Sequence, residues 1–354
     1  MSNKSIYFLT ISLIKGGAEN QLVKLAISLK NDSYQVKIIG FRKQNDFEEA
    51  LRVAGIPFIV FNINSFLGIY SLLKFLNTKK PDVMISFMYG ANVIGRLVRL
   101  VFSVPLITSV RNIVISKKFV WIYKFTRNID SFTVFNSEYA LRKFIDKSIT
   151  NRSKSLVINN AISLPSKSLQ SQSKENDVFT LTSLAHFRPQ KDYLTLFKAI
   201  KILKDKQIPV RLFCLGHLYG QSWPEELVAK LGLNEEIKLM GFLDSTEDYI
   251  GRSDVLVLSS LWEGTPNALL EAMANEIPII SSRIPGCEDL VQKSGAGLLF
   301  NPGSAQDLAG VIEELLKMEA KRKMDMGKRG RTFIMDNFSE NKIYEEWKAL
   351  ITKL

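Results

Sequence analysis

The stretch from Ser260 to Ser282 reads SLWEGTPNALLEAMANEIPIISS. It sets two carboxylates, Glu263 and Glu271, around a Gly-Thr-Pro-Asn turn, then runs through a helical pattern into Pro278 and the apolar run Ile277–Ile280. Just upstream, Asp254–Ser259 has the pattern of a buried strand. Ser260–Pro266 is therefore a loop at a strand's carboxyl end, and Asn267–Asn275 is the helix that follows. The first N–H groups of such a helix favour an anion, above all a phosphate. Gly264 lets a ligand approach the backbone closely. Glu271 lies four residues after Asn267 and shares its helical face. A carboxylate repels a phosphate but accepts hydrogen bonds from a diol one step further away. Two acids around one helix start thus suit a ligand with a sugar at one end, a ribose at the other and a diphosphate between.

Working outward, strand-like and helix-like patterns alternate along the whole chain. In the first half the strands read as Ile6–Ile11, Gln35–Phe41, Pro57–Phe61, Val83–Phe87, Leu106–Val110, Ser131–Phe135 and Ser155–Ile158. In the second they read as Phe179–Ser183, Val210–Leu215, Ile237–Met240, Val255–Leu258, Ile277–Ser281 and Gly297–Phe300. Such β-α alternation predicts parallel sheets covered by helices on both faces. Between the halves, SLPSKSLQSQSKEND (Ser163–Asp177) lacks a core pattern and reads as a linker. The expected organisation is an α/β chain of two doubly wound, Rossmann-like domains, residues 1–165 and 178–337, joined by a linker at 166–177. A C-terminal helix at about 338–354, with Tyr344 and Trp347, is expected to pack back on the first domain. Ligands bind outside the carboxyl ends of such strands, so the two domains are expected to face a central cleft.

Composition narrows the class. At 354 residues, with 46% hydrophobic and 23% charged side chains, the chain has enough apolar material for two cores. Cys214 and Cys287 both lie in apolar contexts, which argues against a disulfide framework and for a reducing, cytoplasmic setting. The N-terminus reads as a first strand and not as a signal peptide. Ile56–Leu76, the best membrane-span candidate, is broken by Pro57, Asn62, Asn64 and Gly68, whereas a span needs roughly 20 mostly apolar residues. The net charge of +12 is lopsided: residues 1–177 hold 25 Lys and Arg against 11 Asp and Glu, and residues 178–354 hold 22 against 24. A one-sided basic surface suggests an anionic partner.

A diphosphate also needs cations. AHFRPQKD (Ala185–Asp192), the loop after the strand Phe179–Ser183, offers His186, Arg188 and Lys191. No Asp-x-Asp occurs, so no metal is called for and protein cations are expected to neutralise the phosphates. Together, the EGTPNALLEAMA run (Glu263–Ala274), RPQK (Arg188–Lys191) and the early KGGAE (Lys15–Glu19) resemble the family 4 retaining glycosyltransferases of the GT-B fold. The resemblance covers nearly the whole chain and is most specific in Ser183–Lys191 and Leu258–Gly286. It implies a nucleotide-diphosphate-sugar donor, commonly UDP-linked, held mainly by the second domain, and an acceptor held mainly by the first. Carried over, Glu271 binds the ribose and Glu263 the sugar. Gly264, Pro266, Asn267, Ala268 and Leu269 form the turn and offer backbone to sugar and phosphate. Lys191 contacts the diphosphate, and Gly16 and Gly17 approach it from the other domain. The catalytic set is Arg188, Lys191 and Glu263, with neither metal nor other cofactor. The chain departs from the family at His186, where an arginine is usual, leaving Arg188 or His186 to complete the clamp. It also lacks a histidine in the first domain, where the backbone, Asn92 or Arg111 are the candidates. His217 is given no role.

Arg111 and Asn112, after the strand Leu106–Val110, and Asn92 are the acceptor-binding candidates. SKKFVWIYKFTR (Ser116–Arg127) interleaves Lys117, Lys118, Lys124 and Arg127 with four aromatic residues, and RLVRLVF (Arg96–Phe102) extends the pattern. Such a stretch suits an anionic membrane surface, though it also fits a core-facing helix. The expectation is a cytoplasmic enzyme, peripheral at the inner face of the plasma membrane. It would use a lipid-diphosphate-linked or saccharide acceptor in O-antigen, capsule or exopolysaccharide synthesis. A nucleotide-sugar epimerase or hydrolase would need no basic acceptor surface. A glycoside hydrolase would need two carboxylates flanking the bond and no nearby cations. A nucleic-acid-binding protein rests on charge alone, with no recognisable module, so no nucleic-acid partner is expected.

Overall fold

The structure, a computed structural model, describes residues 4–165, 178–243 and 245–354. The linker expected at 166–177 lies outside the described residues. The chain divides into two compact units, one running up to Ala161 and regaining Asn341–Leu354, the other spanning Ile162–Glu340.

In the first unit the order is β1 (Ser5–Thr10), α1 (Gly17–Asn31), β2 (Gln35–Gly40), α2 (Glu48–Val53), β3 (Phe58–Val60), α3 (Phe66–Thr78), β4 (Val83–Phe87), α4 (Tyr89–Phe102), β5 (Leu106–Val110), α5 (Lys117–Thr126), β6 (Phe132–Phe135), α6 (Glu138–Asp146) and β7 (Ser155–Val157). The second unit continues with β8 (Phe179–Leu184), α7 (Tyr193–Asp205), β9 (Val210–Leu215), α8 (Trp223–Lys230), β10 (Ile237–Gly241), α9 (Glu247–Gly251), β11 (Val255–Leu258), α10 (Asn267–Ala274), β12 (Ile279–Ser282), α11 (Pro285–Ser294), β13 (Gly297–Phe300), α12 (Ala305–Lys317) and α13 (Ala320–Phe338), and α14 (Glu340–Thr352) follows. The sheets run β3-β2-β1-β4-β5-β6-β7 and β10-β9-β8-β11-β12-β13. Every recorded strand pair is parallel, as in β1 on β4 (Ile6 opposite Val83) and β8 on β11 (Leu181 opposite Val255). Both are doubly wound Rossmann-like sheets, the two-domain α/β architecture of the GT-B class.

Burial explains the near-continuous apolar strands. β4 and β5 are buried along their whole lengths, because helices cover both faces of the sheet. On one face α1 and α14 pack through Leu22, Leu25, Ile343 and Trp347. On the other, α3 and α4 pack through Leu72, Leu76, Ala91 and Val98. Trp347 is 2% exposed and stacks on Phe87 with ring centroids 6.2 Å apart.

The unit boundary differs slightly from the sequence expectation. Residues 162–165 group with the second unit, where the Ile162 N–H donates to the Phe338 carbonyl at 2.8 Å and its side chain joins Ile334 and Phe338 in one core. The apolar stretch around 56–76 folds as β3 and α3, and among the described residues no helix is long and apolar enough to cross a membrane.

One group of polar side chains inside the first unit is tightly paired. Arg96 of α4 is 1% exposed, and its guanidinium grips the carboxylate of Asp130, itself 0% exposed, through Nε (2.9 Å) and Nη2 (2.5 Å). Thr108 and Thr133 donate to the same carboxylate, Thr126 accepts from Arg96 Nη1, and the guanidinium lies 4.1 Å from the Tyr123 ring centroid. The Arg99 guanidinium donates to Ser131 Oγ. The basic residues of RLVRLVF thus point into the fold, which corrects the expectation that they extend a basic surface.

Removing one partner of such a pair strands a buried charge. Asp130→Ala should therefore destabilise the first unit by about 3–5 kcal/mol, read as a fall in its urea midpoint. Arg52→Ala, which breaks the exposed pair with Glu49, should leave the midpoint unchanged.

Candidate functional site

In the second sheet the chain winds outward from β8 through β9 to β10, then returns to build β11, β12 and β13 on the other side. The loops after β8 and β11 leave neighbouring strands in opposite directions, and a crevice opens at that switch point. These loops are residues 185–192 and 259–266, which carry most of the donor-site candidates.

Three ties hold the loops together. Leu261 N–H donates to the Gln190 carbonyl at 2.8 Å, and Ser259 Oγ donates to the Lys191 carbonyl at 2.7 Å. The third is an ion pair, Lys191 Nζ to Glu263 Oε1 at 2.5 Å, with side-chain exposures of 18% and 10%. Ser260 Oγ donates to the same carboxylate oxygen at 2.7 Å. A lysine ammonium has three donors, and Glu263 engages one of them. Cys287 lies against the pair, and burial pushes its thiol up to about 12, so it stays protonated.

His186 is not the cation that the sequence suggested. Burial, then His217, Arg188 and Lys191 in turn, push its imidazole down to about 4. It is neutral near pH 7. Its Nδ1 accepts from the His217 backbone N–H at 3.1 Å, which leaves the proton on Nε2. His186 can donate a hydrogen bond to an anion but brings no charge. Arg188 is exposed; its Nη2 donates to the Tyr219 hydroxyl at 2.8 Å and its guanidinium lies 5.4 Å from that ring. Around them, His217 stacks on Phe242 with centroids 4.2 Å apart and planes 2° apart.

α10 starts behind Pro266, an N-cap residue whose own side chain makes no capping hydrogen bond. Leu269 N–H already donates to the Pro266 carbonyl at 3.2 Å, so this one of the expected backbone donors is turned inward. Glu271 is half-buried one turn into the helix. Two glycines outside the predicted set hold this geometry. A Cβ on Gly286, in the first turn of α11, would lie 1.9 Å from the Gly264 carbonyl oxygen. A Cβ on Gly216, at φ +157°, would lie 2.1 Å from the Ala185 carbonyl oxygen. Each lets one loop lie directly on the next.

The first-unit candidates fare differently. Gly16 caps α1 in extended conformation (φ −163°), and Gly17 opens the helix. The Gly16 backbone needs no glycine, and the one close approach of a Cβ there would be to the flexible Glu19 carboxylate, at 2.7 Å. Asn92 is 0% exposed, accepts from Ser86 Oγ at 2.7 Å and donates to the Ser109 carbonyl at 3.1 Å, so it supports the fold and faces no acceptor. Arg111 is largely committed as well: Nε donates to Ser109 Oγ, and Nη1 to the Ile158 carbonyl and Asn160 Oδ1, between the Phe87 and Trp347 rings. Asn112 is exposed, and its Oδ1 accepts from Val114 N–H at 3.0 Å. Among the described residues no cluster of three or more His, Cys, Asp or Glu could hold a metal ion.

The structure therefore gathers His186, Lys191, Glu263, Gly264 and the α10 start at one crevice and removes Asn92. Sequence reasoning missed Ser260, His217, Tyr219, Phe242 and Gly286. The signal was present: Tyr219 and Phe242 follow β9 and β10 at the same sheet end, and Gly286 opens the turn after β12.

Residues 15–164 match the model of glycosyltransferase family 4, and residues 166–333 that of glycosyl transferases group 1. The chain is 28% identical over 370 residues, covering 99% of it and 98% of the relative, to a Campylobacter jejuni enzyme. That enzyme is the GalNAc-alpha-(1->4)-GalNAc-alpha-(1->3)-diNAcBac-PP-undecaprenol alpha-1,4-N-acetyl-D-galactosaminyltransferase. This chain is also 29% identical over 177 residues, 49% of it and 45% of the relative, to the Escherichia coli UDP-Gal:alpha-D-GlcNAc-diphosphoundecaprenol alpha-1,3-galactosyltransferase. Among solved structures, Anabaena HepE in complex with UDP and glucose superposes with a TM-score of 0.87 at 21% identity, covering 99% of this chain and 100% of HepE.

The imidazole of His186 gives a pH test. Its depressed proton affinity means that the unfolded chain binds the proton more readily than the fold does. Its contribution to stability should be complete above about pH 6.5 and lost progressively as the pH falls toward about 4. Nitrogen NMR should show an Nε2–H tautomer that does not titrate between about pH 5 and 8.

Proposed function

The chain belongs to the glycosyltransferases that join a family 4 half to a group 1 half, and we propose that its donor is a UDP-sugar whose diphosphate lies at the loops after β8 and β11. It transfers a hexosyl or N-acetylhexosaminyl group to a lipid-diphosphate-linked or saccharide acceptor in surface-polysaccharide synthesis. Its relatives from Campylobacter and Escherichia act on undecaprenol diphosphate-linked sugars, as their names state, which supports this acceptor class. The nucleotide is taken from the second name and from the UDP bound to HepE.

The observation that carries the reading is the Lys191–Glu263 pair. It sets an ammonium with two further donors beside a carboxylate whose Oε1 is taken by Lys191 and Ser260. Oε2 then suits a sugar hydroxyl, and Lys191 suits a phosphate oxygen. His186 Nε2–H and the N-terminus of α10 add donors without adding charge. Glu271 accepts the ribose hydroxyls, and the flat faces of His217 and Phe242 suit a base. Arg188 supplies a second cation on leaving Tyr219.

Transfer follows a front-face retaining course. The bond from the anomeric carbon to the diphosphate oxygen breaks while the acceptor oxygen bonds on the same face. The acceptor's proton passes to the departing diphosphate. The protein's share is positioning and stabilisation of charge on the leaving group, so neither a protein nucleophile nor a metal is required.

UDP should raise the unfolding midpoint, because it binds only the folded form. Lys191→Ala and Glu271→Ala should abolish that rise while remaining folded, and Lys191→Ala should lower turnover by roughly 10²–10³-fold. NMR of the product should show the donor's anomeric configuration, and turnover should survive EDTA. Absence of any nucleotide-dependent shift would remove the donor assignment, and an inverted product would remove the mechanism.

A further inference from the structure

The first unit carries a surface that the transfer chemistry does not use. Its right-handed crossovers place α3, α4 and α5 side by side on one face of the seven-stranded sheet, opposite α1 and α14. Their inner residues, Leu72, Leu76, Val98 and Tyr123, are buried. Their outer residues are apolar too. Phe66 (83% exposed) and Leu67 start α3, Leu100 and Val101 end α4, and Trp121 and Phe125 (80% exposed) stack on each other along α5. Scattered apolar side chains on a surface are ordinary, but a layer of three neighbouring helices that all present them is not.

Charge identifies what covers this layer. Residues 51–129 contain eleven Lys and Arg and a single acid, Asp82. The sequences of α3, α4 and α5 contain no Asp or Glu, while Lys74, Lys79, Lys117 and Lys124 are exposed on or beside them. A second copy docking through the same face would set lysine against lysine. Exposed apolar side chains flanked by cations, spread over three helices with rings on α3 and α5, match the headgroup region of an anionic bilayer.

We infer that the outward face of α3, α4 and α5 docks on an anionic lipid bilayer, with the rings of Phe66, Trp121 and Phe125 entering the headgroup layer. This deepens the reading of a lipid-linked acceptor and rests on it only for its purpose. Surface docking brings the enzyme to a substrate confined to two dimensions. The buried Arg96–Asp130 network beneath α4 and α5 holds both helices in place.

The test is co-flotation of the full chain with vesicles of phosphatidylcholine alone and of an equal mixture of phosphatidylcholine and phosphatidylglycerol. Binding should require phosphatidylglycerol and weaken with salt. It should fall roughly tenfold or more on Trp121→Ser with Phe125→Ser, and likewise on Phe66→Ser with Leu67→Ser. These positions are exposed, so both variants should keep the wild-type unfolding midpoint and its rise with UDP. Absence of vesicle binding would overturn the proposal, as would binding that both double variants retain. A wild-type chain that self-associates through this face, ignores vesicles and becomes monomeric in the variants would overturn it in favour of a second copy. UDP stabilisation without vesicle binding would sink the surface and leave the transferase reading standing.

Discussion

A parallel strand cannot return to its neighbour through a hairpin; it needs a crossover that lies over one face of the sheet. Everything functional in the second unit follows from that constraint. Because the chain winds first one way from β8 and then the other from β11, the loops that follow these two neighbouring strands leave the carboxyl edge in opposite directions, and a crevice opens between them. Loops 185–192 and 259–266 meet there, and so does the start of α10. At that sheet edge, backbone donors and side chains of two distant segments converge.

Convergence alone would leave the loops loose, and the ties between them settle their positions. Two involve backbone carbonyls and the third is the Lys191–Glu263 pair, whose partners lie 72 positions apart in the chain. Each hydrogen bond contributes only about 1 kcal/mol net. Their effect is to reduce the orientations open to the lysine and the carboxylate before any ligand arrives. The glycines at 216 and 286 act in the same sense from outside, since a single added methyl at either would separate loops now in contact. His186 is tuned by the same crowding. Burial and neighbouring cations keep its ring neutral, so it contributes a donor where a third positive charge would repel the other two.

How much of this was legible in the sequence depends on the kind of signal. Strand runs such as Val83–Phe87, Leu106–Val110 and Val255–Leu258 were readable to the residue, because strands buried on both faces are uninterrupted apolar runs. Glu263, Lys191 and Glu271 were readable as residue types after a strand. That Lys191 and Glu263 would pair was not readable, because pairing depends on which strands become neighbours. Asn92 and Arg96 mark the sharper limit. Each is a polar residue in a helix that follows a strand, the pattern of a site, yet each serves an interior partner, Ser109 and Asp130. Sequence gives the position of a polar group along the chain but not the side to which its hydrogen bonds run. The exposed rings of α3 escaped notice for the same reason, since a helix that is apolar on two sides looks like any buried one.

The return of α14 to the first unit has a consequence for the order in which the molecule is made. Lys4 donates to the Ile351 carbonyl, Lys348 pairs with Asp32, and Trp347 closes over Phe87. The first two contacts join residues more than three hundred positions apart, and the whole second unit is synthesised between the partners of all three. A ribosome therefore releases a complete second unit while the first still lacks a wall of its core. Until residues 341–354 emerge, the apolar surface around Phe87 stays open to water and to other nascent chains. The second unit behaves as an insertion within the first, and maturation runs from the middle of the chain outward.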